Sequence, residues 1–193
     1  MKRICVFCGS NPGNDPVFIE TAREVGEFLA GENIELVYGG GRIGLMGRIA
    51  DTVLAAGGRV TGVIPESMAR KERAHRGLTD LRIVRSMHER KALMAELSDG
   101  FIALPGGFGT FEEFCEILTW SQLGFHAKPC GLLNVGGFYD HLIELFDVSA
   151  SSGFIRPEHR RLVLVEKSVE KLFEMMREFR PVPVEKWIDK EST

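Results

Sequence analysis

Residues 101–123 read FIALPGGFGTFEEFCEILTWSQL, and the order of apolar and glycine residues in this stretch decides the fold. Its four leading residues, Phe101–Leu104, predict a short buried strand that ends at the proline and glycines of 105–107. Helical spacing of apolar residues then predicts a helix over about 110–123. A strand that passes through a glycine turn into a helix is typical of the βαβ units that build parallel sheets.

The same alternation extends in both directions from this stretch. Strands are predicted at 3–8, 34–38, 59–64, 81–84, 132–134 and 162–165, and helices at 17–30, 44–56, 87–98, 138–150 and 168–178. This order predicts a single α/β domain over residues 1–180, a Rossmann-like doubly wound parallel sheet flanked by helices on both faces. Residues 181–193 are expected to form a loose tail. Ligands of such sheets bind at the carboxyl ends of the strands.

Length and charge exclude several classes of protein. The chain has 193 residues, enough for one domain, and a formal net charge of −3, which argues against a globally basic nucleic-acid binder. The apolar run at the N-terminus is shorter than the core of a secretory signal, and no uncharged apolar run is long enough for a membrane span. We therefore expect a cytoplasmic protein without nucleic-acid or membrane partners.

The four cysteines do not form a metal-binding pattern. Cys5 and Cys8 make a C-x-x-C pair, but Cys115 and Cys130 stand too far apart to supply the second close pair of a structural zinc site. A thioredoxin-type pair would open a helix, whereas this one lies in or at the end of the first strand. Buried, reduced thiols are expected, with no metal and no cofactor.

The chain contains 22 glycines, and one cluster follows the second predicted strand. Residues 39–44, GGGRIG, match the pattern G-x-G-x-x-G, which can bring backbone amides close to a phosphate. No acidic residue ends the next strand, which argues against NAD. Leu45 stands where a P-loop requires lysine. A tight strand–helix turn is the simpler explanation and remains compatible with a supporting role at a ligand.

The second glycine cluster, at 106–109, is the more specific one. Its amide groups could converge on an anion, and the Thr110 hydroxyl could add to them. Thr110 and Glu113 also have the spacing of a capping box, so Glu113 is either a helix cap or a functional residue. The helical wheel puts Glu113 away from the apolar face, near Trp120. An outward tryptophan suggests a partner surface; packing under a loop is the alternative.

One arginine lies on the apolar side of a predicted helix. A capping box at 86–89 starts this helix, and Met87, Met94 and Leu97 define its apolar stripe. Arg90 falls inside that stripe, where an unpaired guanidinium would be costly. It either forms a structural pair or reaches water along the surface, or it opens into a pocket and meets an anionic substrate.

Positive charge is concentrated around this arginine. Residues 70–91 contain eight Lys or Arg and three acidic residues, a local charge of +5 in a chain of net charge −3. A confined basic zone fits a small anionic ligand better than a polynucleotide, although some of these side chains are expected simply to face solvent.

Taken together, residues 86–91, SMHERK, and 105–113, PGGFGTFEE, resemble the signature of the LOG (Lonely Guy) family of cytokinin riboside 5′-monophosphate phosphoribohydrolases. The resemblance extends over nearly the whole chain, from 6–10 to 118–124, and Phe108 fills the variable position of the second motif. It implies hydrolysis of the N-glycosidic bond of an N6-modified AMP, or of AMP itself, with release of the free base and ribose 5-phosphate.

The resemblance also implies the site residues and the assembly. Arg90 and Glu113 would be the catalytic pair. The nucleotide and its phosphate would be bound by Glu72, Lys91, Gly107, Phe108, Gly109, Thr110, Glu112 and Thr119. The site would lie at or near the interface of a homodimer. Two other functions stay open: a non-catalytic nucleotide carrier, and a lysine decarboxylase, although no lysine stands out as an anchor for pyridoxal phosphate.

Overall fold

A computed structural model of the protein describes residues 1–69 and 74–181, so all but the first residue of the predicted tail lies outside the described part. Its strands are β1 (Arg3–Phe7), β2 (Glu35–Tyr38), β3 (Val60–Pro65), β4 (Asp80–Val84), β5 (Gly100–Ala103), β6 (Cys130–Leu133) and β7 (Val163–Glu166). Its helices are α1 (Pro16–Gly31), α2 (Gly44–Ala55), α3 (Glu66–Met68), α4 (Met87–Leu97), α5 (Phe108–Gln122), α6 (Asp140–Ser151), α7 (Pro157–Arg160) and α8 (Val169–Glu178).

Within the described ranges, seven parallel strands form one sheet in the order β4-β3-β2-β1-β5-β6-β7. The chain lays down β1 to β4 toward one edge and then returns to place β5 on the other side of β1. The strand order therefore reverses between β1 and β5, and crevices at such a reversal are where open α/β sheets bind ligands. The predicted fold class is confirmed.

The central strands are apolar on both faces because helices cover both. Along β1, Ile4 and Val6 point into one core, and Cys5 and Phe7 point into the other, as the two-residue period of a strand requires. Helices α1, α2 and α8 contribute to the first core, and α4 and α5 contribute to the second. Because both faces of the sheet are buried, its strand ends hold the residues of the site in fixed positions.

Most predicted elements agree with the observed ones to within two residues. Helix α5 begins at Phe108, two residues earlier than predicted, and short helices α3 and α7 were not predicted. The cysteines are free, with Cys5 and Cys8 buried as expected, and burial raises the pKa of both thiols. No helix in residues 1–69 and 74–181 combines the length and apolar character needed to cross a membrane.

Candidate active site

Arg90 and Glu113 meet in a buried ion pair between α4 and α5. Arg90 Nη1 donates to Glu113 Oε1 at 2.8 Å, and Arg90 Nε donates to the Val63 carbonyl oxygen at 3.1 Å. Arg90 is 7% exposed and Glu113 is 8% exposed. The predicted burial of Arg90 is confirmed, and its partner is the other residue that the sequence singled out.

Glu113 does not cap α5, because the N-cap position is Gly107 and Glu113 lies in the second turn. Burial raises the pKa of the Glu113 carboxyl; Arg90 acts in the opposite direction, and Glu112 adds to the rise. The second carboxylate oxygen, Oε2, accepts no hydrogen bond from any residue in the described ranges. One oxygen is thus held in place and the other is available to a ligand.

The glycine turn after β2 lies directly against the arginine. A methyl group added at Gly39 would lie 1.9 Å from Arg90 Nη2. The first glycine cluster therefore leaves space for the guanidinium. Gly44, with a φ of +64°, lies so close to the Ser10 backbone that an added Cβ would be 2.3 Å from the Ser10 carbonyl carbon. These glycines pack strand-end loops closely together, as the turn explanation of this cluster required.

The second glycine cluster forms the entrance of α5 and one wall of a cavity of about 200 Å³. The cavity lies between the loops after β1 and β5 and is lined by Gly9, Ser10, Asn11, Pro12, Gly13, Phe18, Leu45, Pro105, Gly106, Gly107 and Phe138. A Cβ at Gly107 or Gly109 would contact nothing within 4 Å, so the approach to this helix end is open. Free backbone amides at a helix start favour an anion.

Thr110 lies between the helix start and the ion pair. It is buried, and its hydroxyl makes no hydrogen bond within the part of the chain that the structure describes. Glu113 follows three residues later and so lies on the same side of the helix, about 5–6 Å away between Cβ atoms. Thr110 and Glu113 thus follow the glycine loop along one side of α5.

Lys91 does not reach the glycine loop in this structure. Its ammonium group donates to Glu112 and, at 2.9 Å, to Glu116 Oε1. Burial disfavours the charged amine, but these two carboxylates prevail and raise the pKa of Lys91. Sequence reasoning missed Glu116. The signal was available: Glu112 and Glu116 are like charges four residues apart on one helix face, which calls for a cation between them.

Two other predicted site residues, Phe108 and Thr119, have exposed side chains. Phe108 is 92% exposed. Thr119 is exposed too, and its hydroxyl donates to the Cys115 carbonyl oxygen at 2.8 Å. Thr119 and Cys115 line a second cavity of about 140 Å³, beside α6 and α7. Glu72 lies outside the described residues.

The expectation that Trp120 faces outward is wrong. Its side chain is partly buried and packs against the core that contains Phe101 and Ile117. Helix α5 contacts both the sheet and α4, so its buried surface is wider than the single apolar stripe of a helical wheel.

The strand order, the open helix start and the buried ion pair define a Rossmann-type α/β protein with an anion-compatible site at the strand reversal. The fold is shared with the molybdenum cofactor binding protein of Rippkaea orientalis, with a TM-score of 0.69 at 21% identity over 92% of this chain and 97% of that one.

Sequence comparisons are more specific than the fold. Residues 46–176 match the family described as possible lysine decarboxylase. A probable cytokinin riboside 5′-monophosphate phosphoribohydrolase of Oryza sativa subsp. japonica is 52% identical over 92% of this chain and 79% of its own. A cytokinin riboside 5′-monophosphate phosphoribohydrolase of Rhodococcoides fascians is 52% identical over 88% of this chain and 86% of its own. The chain belongs to this family, the LOG family of phosphoribohydrolases.

Proposed function

We propose that the protein hydrolyses the N-glycosidic bond of cytokinin riboside 5′-monophosphates, and of AMP, to the free base and ribose 5-phosphate. Water supplies the hydroxyl group of the sugar product and the proton of the departing base. The observation that carries this proposal is the buried Arg90–Glu113 pair, with one free carboxylate oxygen, next to the open start of α5.

Glu113 is the group that acts on the sugar. Cleavage of this bond builds positive charge on the ribose ring, and a carboxylate held beside the ring stabilises that charge. The free Oε2 atom can also bind a ribose hydroxyl or orient the attacking water. Arg90 fixes the other oxygen, which prevents the carboxylate from rotating away from the substrate.

The nucleotide is oriented from its phosphate end. The amides of Gly107, Phe108 and Gly109 and the hydroxyl of Thr110 bind the 5′-phosphate at the positive end of α5. Beyond its hold on Glu113, the guanidinium of Arg90 offsets negative charge near the departing base. Glu72, Lys91 and Glu112 complete the nucleotide site in this proposal.

A product assay on two nucleotides tests the proposal. The protein is incubated with AMP and with isopentenyl-AMP, and free base and ribose 5-phosphate are quantified. We expect equimolar products from at least one of the two. Nucleotide binding without products would instead support a carrier, and consumption of lysine in the presence of pyridoxal phosphate would support a decarboxylase.

A homodimer with the site at its interface is part of the proposal. Thr119 follows Thr110 by nine residues on the same helix, about 13 Å along its axis, so one chain cannot easily bring both to one small ligand. A second copy could supply Thr119. Helix α6 supplies Phe146 to the cavity that Thr119 lines. Leu145, Val148 and Phe154, on and after the same helix, are exposed apolar side chains of the kind found at subunit interfaces.

Light scattering tests the dimer. Phe154→Ser removes the most exposed of these side chains, at 87% exposure, and we expect it to shift the mass toward the monomer and lower activity. Ile83→Ser, at an exposed position on β4, is the matched control and should leave the dimer intact. A wild-type protein that is monomeric at assay concentration would refute this part of the proposal.

We also propose a cytoplasmic location and no metal or cofactor. All four cysteines are free thiols, which suits a reducing compartment. The chemistry assigned to Glu113 and Arg90 requires only water as a second reactant.

A further inference from the structure

The position of the Arg90 guanidinium depends on the turn formed by Gly39, Gly40 and Gly41. The Gly39 backbone packs so closely on Arg90 Nη2 that no side chain fits between them. On its other sides, the arginine is held by Val63 and Glu113. Any movement of the turn toward or away from the arginine therefore changes where the guanidinium rests.

Residues 74–77 hold the Gly39–Gly41 turn in place. The His75 amide donates to the Gly40 carbonyl oxygen at 2.9 Å, and Ala74 forms an isolated antiparallel bridge with Gly41. From the other side, the Tyr38 hydroxyl donates to the Gly41 carbonyl oxygen at 3.1 Å. A short segment that is distant in sequence thus fixes the outer side of the turn.

The His75 side chain anchors this segment to α2. Its Nδ1 accepts from the Gly77 amide at 3.2 Å, so the proton of the neutral ring is on Nε2, which donates to Asp51 Oδ1 at 2.8 Å. Both ring nitrogens are used, and the side chain of His75 is only 14% exposed. The imidazole therefore has one orientation.

We propose that His75 and Asp51 are a positioning pair for Arg90: they fix the Gly39–Gly41 turn against α2 and thereby hold the guanidinium in its reactive place. The inference rests on the proposed function, because it assigns these residues to the same reaction. Among the described residues, neither side chain lines the cavity or forms a hydrogen bond to Arg90 or Glu113, so we assign their effect to the turn.

The pair should act on kcat more than on KM. The phosphate is bound by the separate loop after β5, which has no hydrogen bond to His75 or Asp51. We therefore expect substrate affinity to be unchanged. We expect kcat to fall, because a small misplacement of a reacting group, on the order of 1 Å, already lowers the rate.

Alanine and conservative variants test the pair in the full-length protein. We expect Asp51→Ala and His75→Ala each to lower kcat about tenfold with KM within about twofold. Asp51→Asn keeps an oxygen that accepts from Nε2 and should restore kcat to near the wild-type value. Glu27→Ala is the matched control, because Glu27 belongs to an exposed glutamate–arginine pair on α1 that has no part in the turn.

Three outcomes overturn the inference. The first is unchanged kcat in both alanine variants, the second is a loss confined to KM, and the third is equal loss in Asp51→Ala and Asp51→Asn. Asp51 lies at the surface, so its variants should fold, and melting temperatures confirm that kcat is compared between folded proteins. A wild-type protein without hydrolase activity refutes the proposed function instead, and is seen before any variant is made.

Discussion

Replacing Gly39 with alanine should disable the site while leaving the fold intact. The new methyl group would lie 1.9 Å from Arg90 Nη2, and a comfortable contact needs about 3.4 Å, so the guanidinium must move by about 1.5 Å. The hydrogen bond from Nη1 to Glu113, now 2.8 Å, cannot survive that shift. Gly39 has no positive φ, so the backbone itself accepts alanine.

The expected loss follows from that displacement. A misplacement of about 1 Å costs roughly 100-fold in rate, or about 2.7 kcal/mol of transition-state stabilisation. Release of free base, followed by chromatography, measures kcat, and thermal unfolding checks the fold. Gly31→Ala is the control, because a Cβ there meets nothing within 4 Å. A Gly39→Ala protein with wild-type kcat would refute the claim that Arg90 must occupy its observed place.

Three further predictions concern binding, pH and thiol chemistry. Thr110→Val should raise KM about tenfold with little change in kcat, since a hydrogen bond to a charged group contributes about 1.5–3 kcal/mol; inhibition by ribose 5-phosphate provides a second measure. Burial raises the pKa of Glu113, so kcat should begin to fall, as the pH is lowered, at a pH above the ordinary carboxyl pKa of 4.5. In Arg90→Lys, whose side chain is shorter, this acidic fall in kcat should occur over a different pH range. Cys5 and Cys8, buried and with raised thiol pKa values, should react with iodoacetamide only after unfolding, as mass spectrometry can show.

The sheet was predictable because its signals are local. Strands β1, β2, β3 and β5 are short, largely apolar runs that lead into glycine or proline, and most of the long helices have a periodic apolar face. Helices α3 and α7, of three and four residues, were not predicted because a periodicity cannot be read over so few positions.

Burial of Arg90 was predictable, but its pairing was not. A helical wheel shows which residues share one face of α4. Which residue contacts that face depends on how α4 and α5 pack together, and a wheel does not show this. For Glu113, capping and function were equally good local explanations. The structure excludes the capping role, because α5 starts at Phe108 and Glu113 therefore lies one turn too deep to cap.

The roles of Gly39 and His75 could not have been predicted from spacing. The motif of residues 39–44 suggested a phosphate turn, and only the folded chain shows Arg90 packed on its first glycine. His75 and Asp51 are 24 residues apart, and nothing local connects them. The prediction that Trp120 faces outward was wrong for a related reason, because a helix that is buried on two sides has no simple outer face.

The most direct test of the account is the turnover of Glu113→Gln on isopentenyl-AMP, measured together with nucleotide binding. Glutamine keeps the size of the side chain and an oxygen for Arg90, but it lacks the negative charge that stabilises the ribose cation. We predict that the variant binds the nucleotide within a few-fold of wild type and loses about 1000-fold or more in kcat. Wild-type turnover in this variant would remove Glu113 from the mechanism and contradict the account.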